Sequence, residues 1–177
     1  MTVTPDTEIL NQAQPGGHPV ARIAGYIERV GAGDRAALAR LDPQGMLPHQ
    51  MAALSRTLLH SGLEPHYWEA SLWRRWSLIA HGIALAGHDG RSRLGQQLSA
   101  AAVAESRVTK LLVSRDEALM QILPRLFRLM ASRQVKPNWY DLSLLILKDQ
   151  SSDPQELERL EEQRLRIAGD YYRAQAH

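Results

Sequence analysis

Apolar residues recur at every third or fourth position along most of the chain. In the first such run, Val20, Ile23 and Ile27 follow each other at this spacing, which places their side chains on one face of a helix. The alternation of apolar and polar residues that is typical of β-strands does not occur in the sequence. We therefore predict an all-α fold, with two small packed helical bundles that form one elongated helical protein.

Proline and aspartate mark several of the predicted helix ends. Pro48 and Pro65 are each predicted to stand in the first turn of a helix, where the missing N–H of proline costs nothing. Asp34 is the predicted N-cap of a short helix over 35–41. Pro124 lies inside an apolar pattern of helical period, so we expect it to kink or divide the helix at that point.

Breaks in the helical pattern also predict how the chain is divided. The first nineteen residues hold three prolines and two glycines and show no sustained periodicity, as expected of a mobile segment. The strongest interior break is the run 87–90, Gly-His-Asp-Gly. We predict a flexible N-terminal leader over 1–19, an N-terminal helical lobe over 20–88 and a C-terminal helical lobe over 89–177, with one family domain overall.

Three tryptophans, Trp68, Trp73 and Trp76, lie close together on one predicted helix. Large aromatic side chains at this density are typical of anchors between packed helices. We therefore assign them to the core rather than to a ligand site. Because the aromatic residues are committed to the core, we expect little stacking on nucleic-acid bases.

The charges of the chain are unevenly distributed, although 21 Lys or Arg against 19 Asp or Glu leave a net charge of only +2. Residues 71–136 contain eleven basic and four acidic residues, whereas residues 149–162 contain six acidic residues and one arginine. This separation indicates a polyanion at one surface and a protein neighbour at another. Arginine dominates the basic residues, and its guanidinium binds two phosphate oxygens at once.

The sequence lacks the motifs of the common enzyme classes. It has no cysteine, which excludes a disulfide or a thiolate metal site. It contains no phosphate-binding glycine loop, no two-histidine zinc helix and no nucleophile elbow. The start of the chain lacks the pattern of a signal peptide, and no apolar run reaches the length of a membrane span. We predict a cytoplasmic protein with no catalytic residue, no metal site and no cofactor.

Pairs of basic residues one helical turn apart are the candidate chemistry of this chain. Arg107 and Lys110 form one such pair, and Arg125 and Arg128 form another. The two members of each pair share a helix face, so each pair can follow successive phosphates of a nucleic-acid backbone.

Arg91 and Arg93 precede a predicted helix, where free backbone N–H groups would add to their attraction for phosphate. The alternative for all of these positions is an ordinary solvated surface, with some local pairing to Glu105 and Glu117. Composition alone does not separate the two interpretations.

Six short segments occur along the chain in an order and at spacings typical of one family. They are GDRAALAR (33–40), LGQQL (94–98), RVTKLL (107–112), LFRLM (126–130), WYDL (139–142) and DYYR (170–173). Taken together, they resemble the small subunit of the type I-E CRISPR surveillance complex Cascade, the CasB family. The resemblance covers about residues 20 to 174.

The resemblance implies a helical, non-catalytic subunit that is present in more than one copy in Cascade. Members of the family contact the crRNA–target hybrid and the displaced strand through basic side chains, and so help to hold the R-loop open without reading its sequence. The basic positions of the family are carried here by Arg35, Arg40, Arg107, Arg164 and Arg166.

The residues and the resemblance together predict a subunit of a CRISPR interference complex that binds the nucleic-acid backbone. Its predicted partners are crRNA, target DNA, the large and backbone subunits of Cascade and a second copy of the chain, with no membrane. The predicted nucleic-acid-binding residues are Arg35, Arg40, Arg74, Arg75, Arg91, Arg93, Arg107, Lys110, Arg128, Arg164 and Arg166. One alternative is an α-helical adaptor whose arginines bind acidic protein partners, and another is a helical-bundle enzyme.

Overall fold

The computed structural model describes residues 17–177, and every regular element within that range is a helix. The predicted all-α fold class is confirmed. Residues 1–16, most of the predicted leader, lie outside the described residues. The elements within 17–177 are α1 (Pro19–Arg29), α2 (Ala32–Ala39), α3 (Pro48–His60), a 3-10 turn (Pro65–Tyr67), α4 (Ala70–Ala86), α5 (Leu94–Ala100), α6 (Glu105–Val113), α7 (Asp116–Ser132), α8 (Trp139–Lys148) and α9 (Pro154–Gln175).

The described residues form two compact units, which divide between Ala84 and Leu85. The last two residues of α4 therefore belong to the second unit, whereas the sequence placed the boundary after His88. We call the two parts the N-terminal unit and the C-terminal unit.

In the N-terminal unit, α3 packs against both α1 and α2. The core is made of side chains without exposed surface, among them Ile23, Leu38, Leu54 and Trp76. The buried imidazole of His81 on α4 lies with its Nδ1 3.1 Å from the carbonyl oxygen of Leu38. This contact satisfies a polar group that would be costly to bury alone, and it ties α4 to the end of α2.

The C-terminal unit is built on α9, which packs along α5 and also contacts α6 and α8. The close approach of α5 and α9 depends on Gly95, because a Cβ atom there would lie 2.3 Å from the carbonyl oxygen of Ile167. Near the end of α9, the buried Tyr171 hydroxyl donates to the carbonyl of Val103 at 2.7 Å. The loop before α6 is thereby fixed to α9.

The predicted start of the second helix is wrong. The second helix begins at Ala32 with Gly31 as its N-cap, not at Arg35 after an Asp34 cap. Asp34 instead lies in the first turn of α2 and accepts two hydrogen bonds from the guanidinium of Arg56 on α3, at 2.7 and 3.0 Å. These bonds lower the pKa of Asp34 below its ordinary value.

The proline predictions give mixed outcomes. Pro48 opens α3 in the first turn, as predicted. Pro65 opens only a 3-10 turn, and the long helix begins at Ala70, after an extended Trp68. Pro124 does not divide its helix, since α7 runs without interruption from Asp116 to Ser132.

Candidate nucleic-acid interface

Three basic side chains from α6 and α7 line one groove of about 190 Å³ in the C-terminal unit. Arg107 and Lys110 come from α6 and Arg125 from α7. Apolar side chains, Leu111, Ile122 and Leu126, complete the lining. We call these six residues the basic groove. The predicted pair on α6 is therefore completed by a cation from the neighbouring helix.

The three cations of the basic groove are exposed, and none of them pairs with a carboxylate within residues 17–177. Glu105, the expected local partner, accepts a hydrogen bond from the Tyr172 hydroxyl at 2.8 Å instead. That bond raises the pKa of Tyr172 above its ordinary value. The positive charge of the groove is thus open to an external anion.

A tight connection holds α6 and α7 in place. Arg115 lies between them and donates to the carbonyl of Leu112, the penultimate residue of α6, at 2.8 Å. Asp116 opens α7 with a φ of 49°, and its backbone N–H donates to the carboxylate of Asp149. Because a positive φ is strained for a residue other than glycine, the bond to Asp149 helps to hold this turn.

Asp149 is the buried centre of an ion-pair network that reaches the surface at Arg115 and Glu161. Its carboxylate is fully buried and lies 2.8 Å from the guanidinium of Arg164, whose side chain is 5% exposed. Arg164 also pairs with Glu161 at 2.5 Å, and Glu161 pairs with Arg115 at 2.8 Å. Glu156 likewise pairs with Lys148 at 2.9 Å. Three of the six acidic residues in segment 149–162 therefore form ion pairs within the C-terminal unit.

A second polar site lies where the loop after α4 meets the start of α8. It is lined by His88, Asp89, Gly90, Arg91, Lys136 and Tyr140, and its volume is about 450 Å³. We call these six residues the loop site. Two of them are cations, and one of these, Arg91, has a side chain that is 97% exposed. The nearest carboxylate, on Asp89, is 4.0 Å from the Arg91 guanidinium.

The family-derived arginines of the N-terminal unit lie near the ends of α1 and α2. Arg35 donates to the carbonyl oxygens of Ile27 and Glu28, at 3.2 and 2.7 Å, and so caps the C-terminus of α1. Its side chain is nevertheless exposed. Arg40 follows α2, is exposed and has no side-chain partner among the described residues.

Two of the predicted contact residues are corrected by their burial. Arg75 on α4 is only 7% exposed, and Arg164 on α9 is only 4% exposed and forms ion pairs within the protein. Neither presents its charge at the surface, so we remove both from the candidate interface. Arg74, the neighbour of Arg75, is half-buried.

The remaining predicted residues are exposed and belong to the C-terminal unit. Arg93 lies 3.5 Å from the carboxylate of Asp170, which joins the start of α5 to α9. Arg128 donates from its Nε to the carbonyl of Pro124 at 3.3 Å. Arg166 is exposed on α9 and has no partner in the described part of the chain.

Arg125 was recognised in the sequence as the partner of Arg128 but was left out of the predicted contact residues, and Lys136 and Tyr140 were not predicted as neighbours of Arg91. The signal for Arg125 was present, because it lies one turn from Arg128. No comparable signal existed for Lys136 and Tyr140. They join Arg91 only through the fold, across more than forty positions of sequence.

Among residues 17–177 there is no group of three His, Cys, Asp or Glu side chains that could hold a metal ion. In the same range, no helix is long and apolar enough to span a membrane.

The helical fold and the arginine-lined surfaces define a class, that of small all-α proteins with exposed basic surfaces. Over residues 34–172 the chain matches the family model described as CRISPR-associated protein Cse2, and it belongs to that family. The family is a component of Cascade in type I-E CRISPR systems, so the resemblance read from the sequence is confirmed. Its members are structural subunits of Cascade, which places the partners of this chain within that complex. No curated protein and no solved structure matches the chain.

Proposed function

We propose that the chain binds the nucleic-acid backbone within Cascade, and thereby stabilises the crRNA–target hybrid and the displaced strand of the R-loop. The observation that carries this proposal is the basic groove, where Arg107, Lys110 and Arg125 converge from two helices without a carboxylate partner among the described residues. Cations that are not neutralised within the protein attract a polyanion most strongly.

The energetics of an R-loop make such a groove sufficient. An RNA–DNA hybrid is about as stable as the DNA duplex that it replaces, so modest contacts to the backbone tip the balance. Each phosphate that a cation neutralises on a single strand contributes roughly 0.7 to the slope of log affinity against log salt. Three cations in one groove therefore contribute a slope of about 2.

Further exposed arginines extend the proposed path of contacts. In the C-terminal unit these are Arg91, Arg93, Arg128 and Arg166, and in the N-terminal unit they are Arg35 and Arg40. All of them bind without reading sequence in this proposal, because backbone contacts carry no sequence information.

The proposed partners follow from the family. We propose that the chain contacts crRNA and target DNA, the large and backbone subunits of Cascade and a second copy of itself, in the cytoplasm and without a membrane. The proposed role is non-catalytic and needs no cofactor.

Salt-dependent filter binding to single-stranded DNA tests the proposal. We expect the affinity of the full chain to fall steeply between about 50 and 200 mM salt. The triple variant R107A/K110A/R125A is expected to lower the slope by about 2, because three phosphate contacts are lost. A control variant, R29A/R159A/R173A, makes the same charge change at exposed arginines that line neither site.

Three results would contradict the proposal. Affinity that is absent or does not depend on salt would exclude backbone binding. An equal loss of salt slope in the groove and control variants would show that DNA binding depends on the net charge of the protein and not on the basic groove. Binding of an acidic protein segment at the groove in preference to DNA would favour the adaptor alternative.

A further inference from the structure

The loop site brings together two cations, two aromatic rings and the Asp89 carboxylate on a backbone that is held by hydrogen bonds. Its volume of about 450 Å³ lies in the range of small-molecule pockets. It belongs to the C-terminal unit but shares no residue with the basic groove.

The backbone of the loop is held by hydrogen bonds to the start of α8. The Trp139 indole N–H donates to the carbonyl of Gly87 at 2.8 Å, and the Trp139 backbone N–H donates to Nδ1 of His88 at 3.2 Å. The backbone N–H of Asp89 donates to the carbonyl of Pro137 at 3.1 Å. A site on a backbone that is fixed in this way loses little conformational entropy when it binds a ligand.

Two glycines let the side chains of the loop site lie directly on the loop. Gly87 has a φ of +78°, and a Cβ atom there would lie 3.2 Å from the aliphatic chain of Lys136. A Cβ atom on Gly90 would lie 2.4 Å from the ring of Tyr140. The Lys136 and Tyr140 side chains therefore occupy the space that larger residues at positions 87 and 90 would need.

The rings and charges of the site suit the two parts of a nucleotide. Tyr140 is half-buried, and its ring lies edge to face with that of His88, with centroids 4.8 Å apart. Arg91 and Lys136 are both exposed at the same site. A cation recognises phosphate, and the face of an aromatic ring stacks on a base of any identity.

We propose that the loop site holds one unpaired nucleotide of a bound strand, with its phosphate at Arg91 and Lys136 and its base packed against Tyr140. This inference rests on the proposed function and adds a base contact to it, whereas the sequence predicted little base stacking. A strand fits better than a free nucleotide, because the Arg91 side chain is 97% exposed and a free small ligand needs a site that buries most of its surface.

The test compares single-stranded DNA with an abasic strand of the same length. The abasic strand keeps every phosphate but removes the bases, so only base contacts distinguish the two. We expect Tyr140→Leu to weaken binding of the normal strand by roughly tenfold, as for the loss of one stacked base. The same variant is expected to leave binding of the abasic strand unchanged, while Tyr140→Phe keeps the ring and restores binding of the normal strand.

Further variants separate the base contact from charge and from folding. Lys136→Ala is expected to weaken binding of both strands and to lower the salt slope by about 0.7. Tyr67→Leu is the matched control, because Tyr67 is 82% exposed and lies in the N-terminal unit outside both sites. Gly90→Ala is expected to act like Tyr140→Leu, since its methyl group would displace the ring.

Each other outcome overturns the inference. Equal binding of the normal strand by wild type and Tyr140→Leu would exclude a base contact at the loop site. If R107A/K110A/R125A still lowered the salt slope in that case, the proposed function would stand. An equal loss on both strands would assign Tyr140 a structural role. Binding of thymidine monophosphate alone, with the same dependence on Tyr140, would identify a site for free nucleotides. If neither strand binds at all, the proposed function fails together with this inference.

Discussion

Replacing Arg164 with methionine should destabilise the C-terminal unit without weakening a contact to nucleic acid. The substitution keeps much of the apolar side chain but leaves the fully buried carboxylate of Asp149 without its nearest cation, which lies 2.8 Å away. Removal of one partner from a buried ion pair costs about 3 to 5 kcal/mol, because the other charge remains buried and uncompensated.

The structure sets the expected loss near the lower end of that range. Arg115 lies 4.0 Å from the Asp149 carboxylate, and the backbone N–H of Asp116 donates to it, so part of the charge stays compensated. We expect a loss of about 3 kcal/mol in the free energy of unfolding. This is a large fraction of the ~5 to 15 kcal/mol by which domains of this size are stable.

The assay pairs this variant with Arg166→Met, two residues further along α9, where the side chain is exposed. Urea unfolding followed by circular dichroism measures stability, and salt-dependent binding to single-stranded DNA measures phosphate contacts. We expect Arg164→Met to lower stability and keep the salt slope of the folded protein. We expect Arg166→Met to keep stability and lower the slope by about 0.7.

Two results would refute this reasoning. A stability loss below about 1 kcal/mol would place Arg164 among ordinary surface ion pairs. A lower salt slope for folded Arg164→Met would return Arg164 to the phosphate path that the sequence predicted for it.

Three further predictions concern other parts of the molecule. The pKa of Asp34 is lowered because Arg56 donates hydrogen bonds to it, so its contribution to stability is present above its unfolded pKa near 3.8 and is lost as the pH falls through the lower folded value. The free energy of unfolding should therefore depend less steeply on pH between pH 5 and 2 in Asp34→Asn than in the wild type. Parallel curves of unfolding free energy against pH for the two proteins would contradict this. Gly95→Ala should cost about 2 kcal/mol in urea unfolding, since its methyl group meets the carbonyl of Ile167 at 2.3 Å, and a neutral result would show that α5 and α9 separate easily. Arg75→Ala should lower the melting temperature without changing the salt slope of DNA binding, because its side chain is buried, and a changed slope would return it to the interface.

The fold class was predictable because the period of apolar residues is a local property of the chain. Individual helix starts were less predictable, since packing can override local propensity. Asp34 was expected to cap a helix over 35–41, yet α2 begins at Ala32 and packs against α3. Pro65 sits in a local pattern that fits a helix start, but the chain there forms only one 3-10 turn.

The candidate interface was predictable for residues on a single helix and not for residues joined by folding. The spacing of Arg107 and Lys110 is sufficient to place them on one helix face. By contrast, the sequence does not show that Arg164 pairs with Asp149, fifteen positions earlier, because ion pairs between distant positions depend on how helices pack. An exposed arginine and a buried one look alike in composition.

Gly87, which precedes the loop site, and Gly90 within it limit how this surface can vary among related chains. The choice of residue at positions 87 and 90 is restricted, since a side chain at either position would meet Lys136 or Tyr140. Arg91 and Lys136 are under no such constraint, because both residues are exposed. Replacement of either residue by a neutral one would change the charge of the site while the loop kept its conformation. Natural variation can therefore alter the affinity of this surface one charge at a time, without a change of fold.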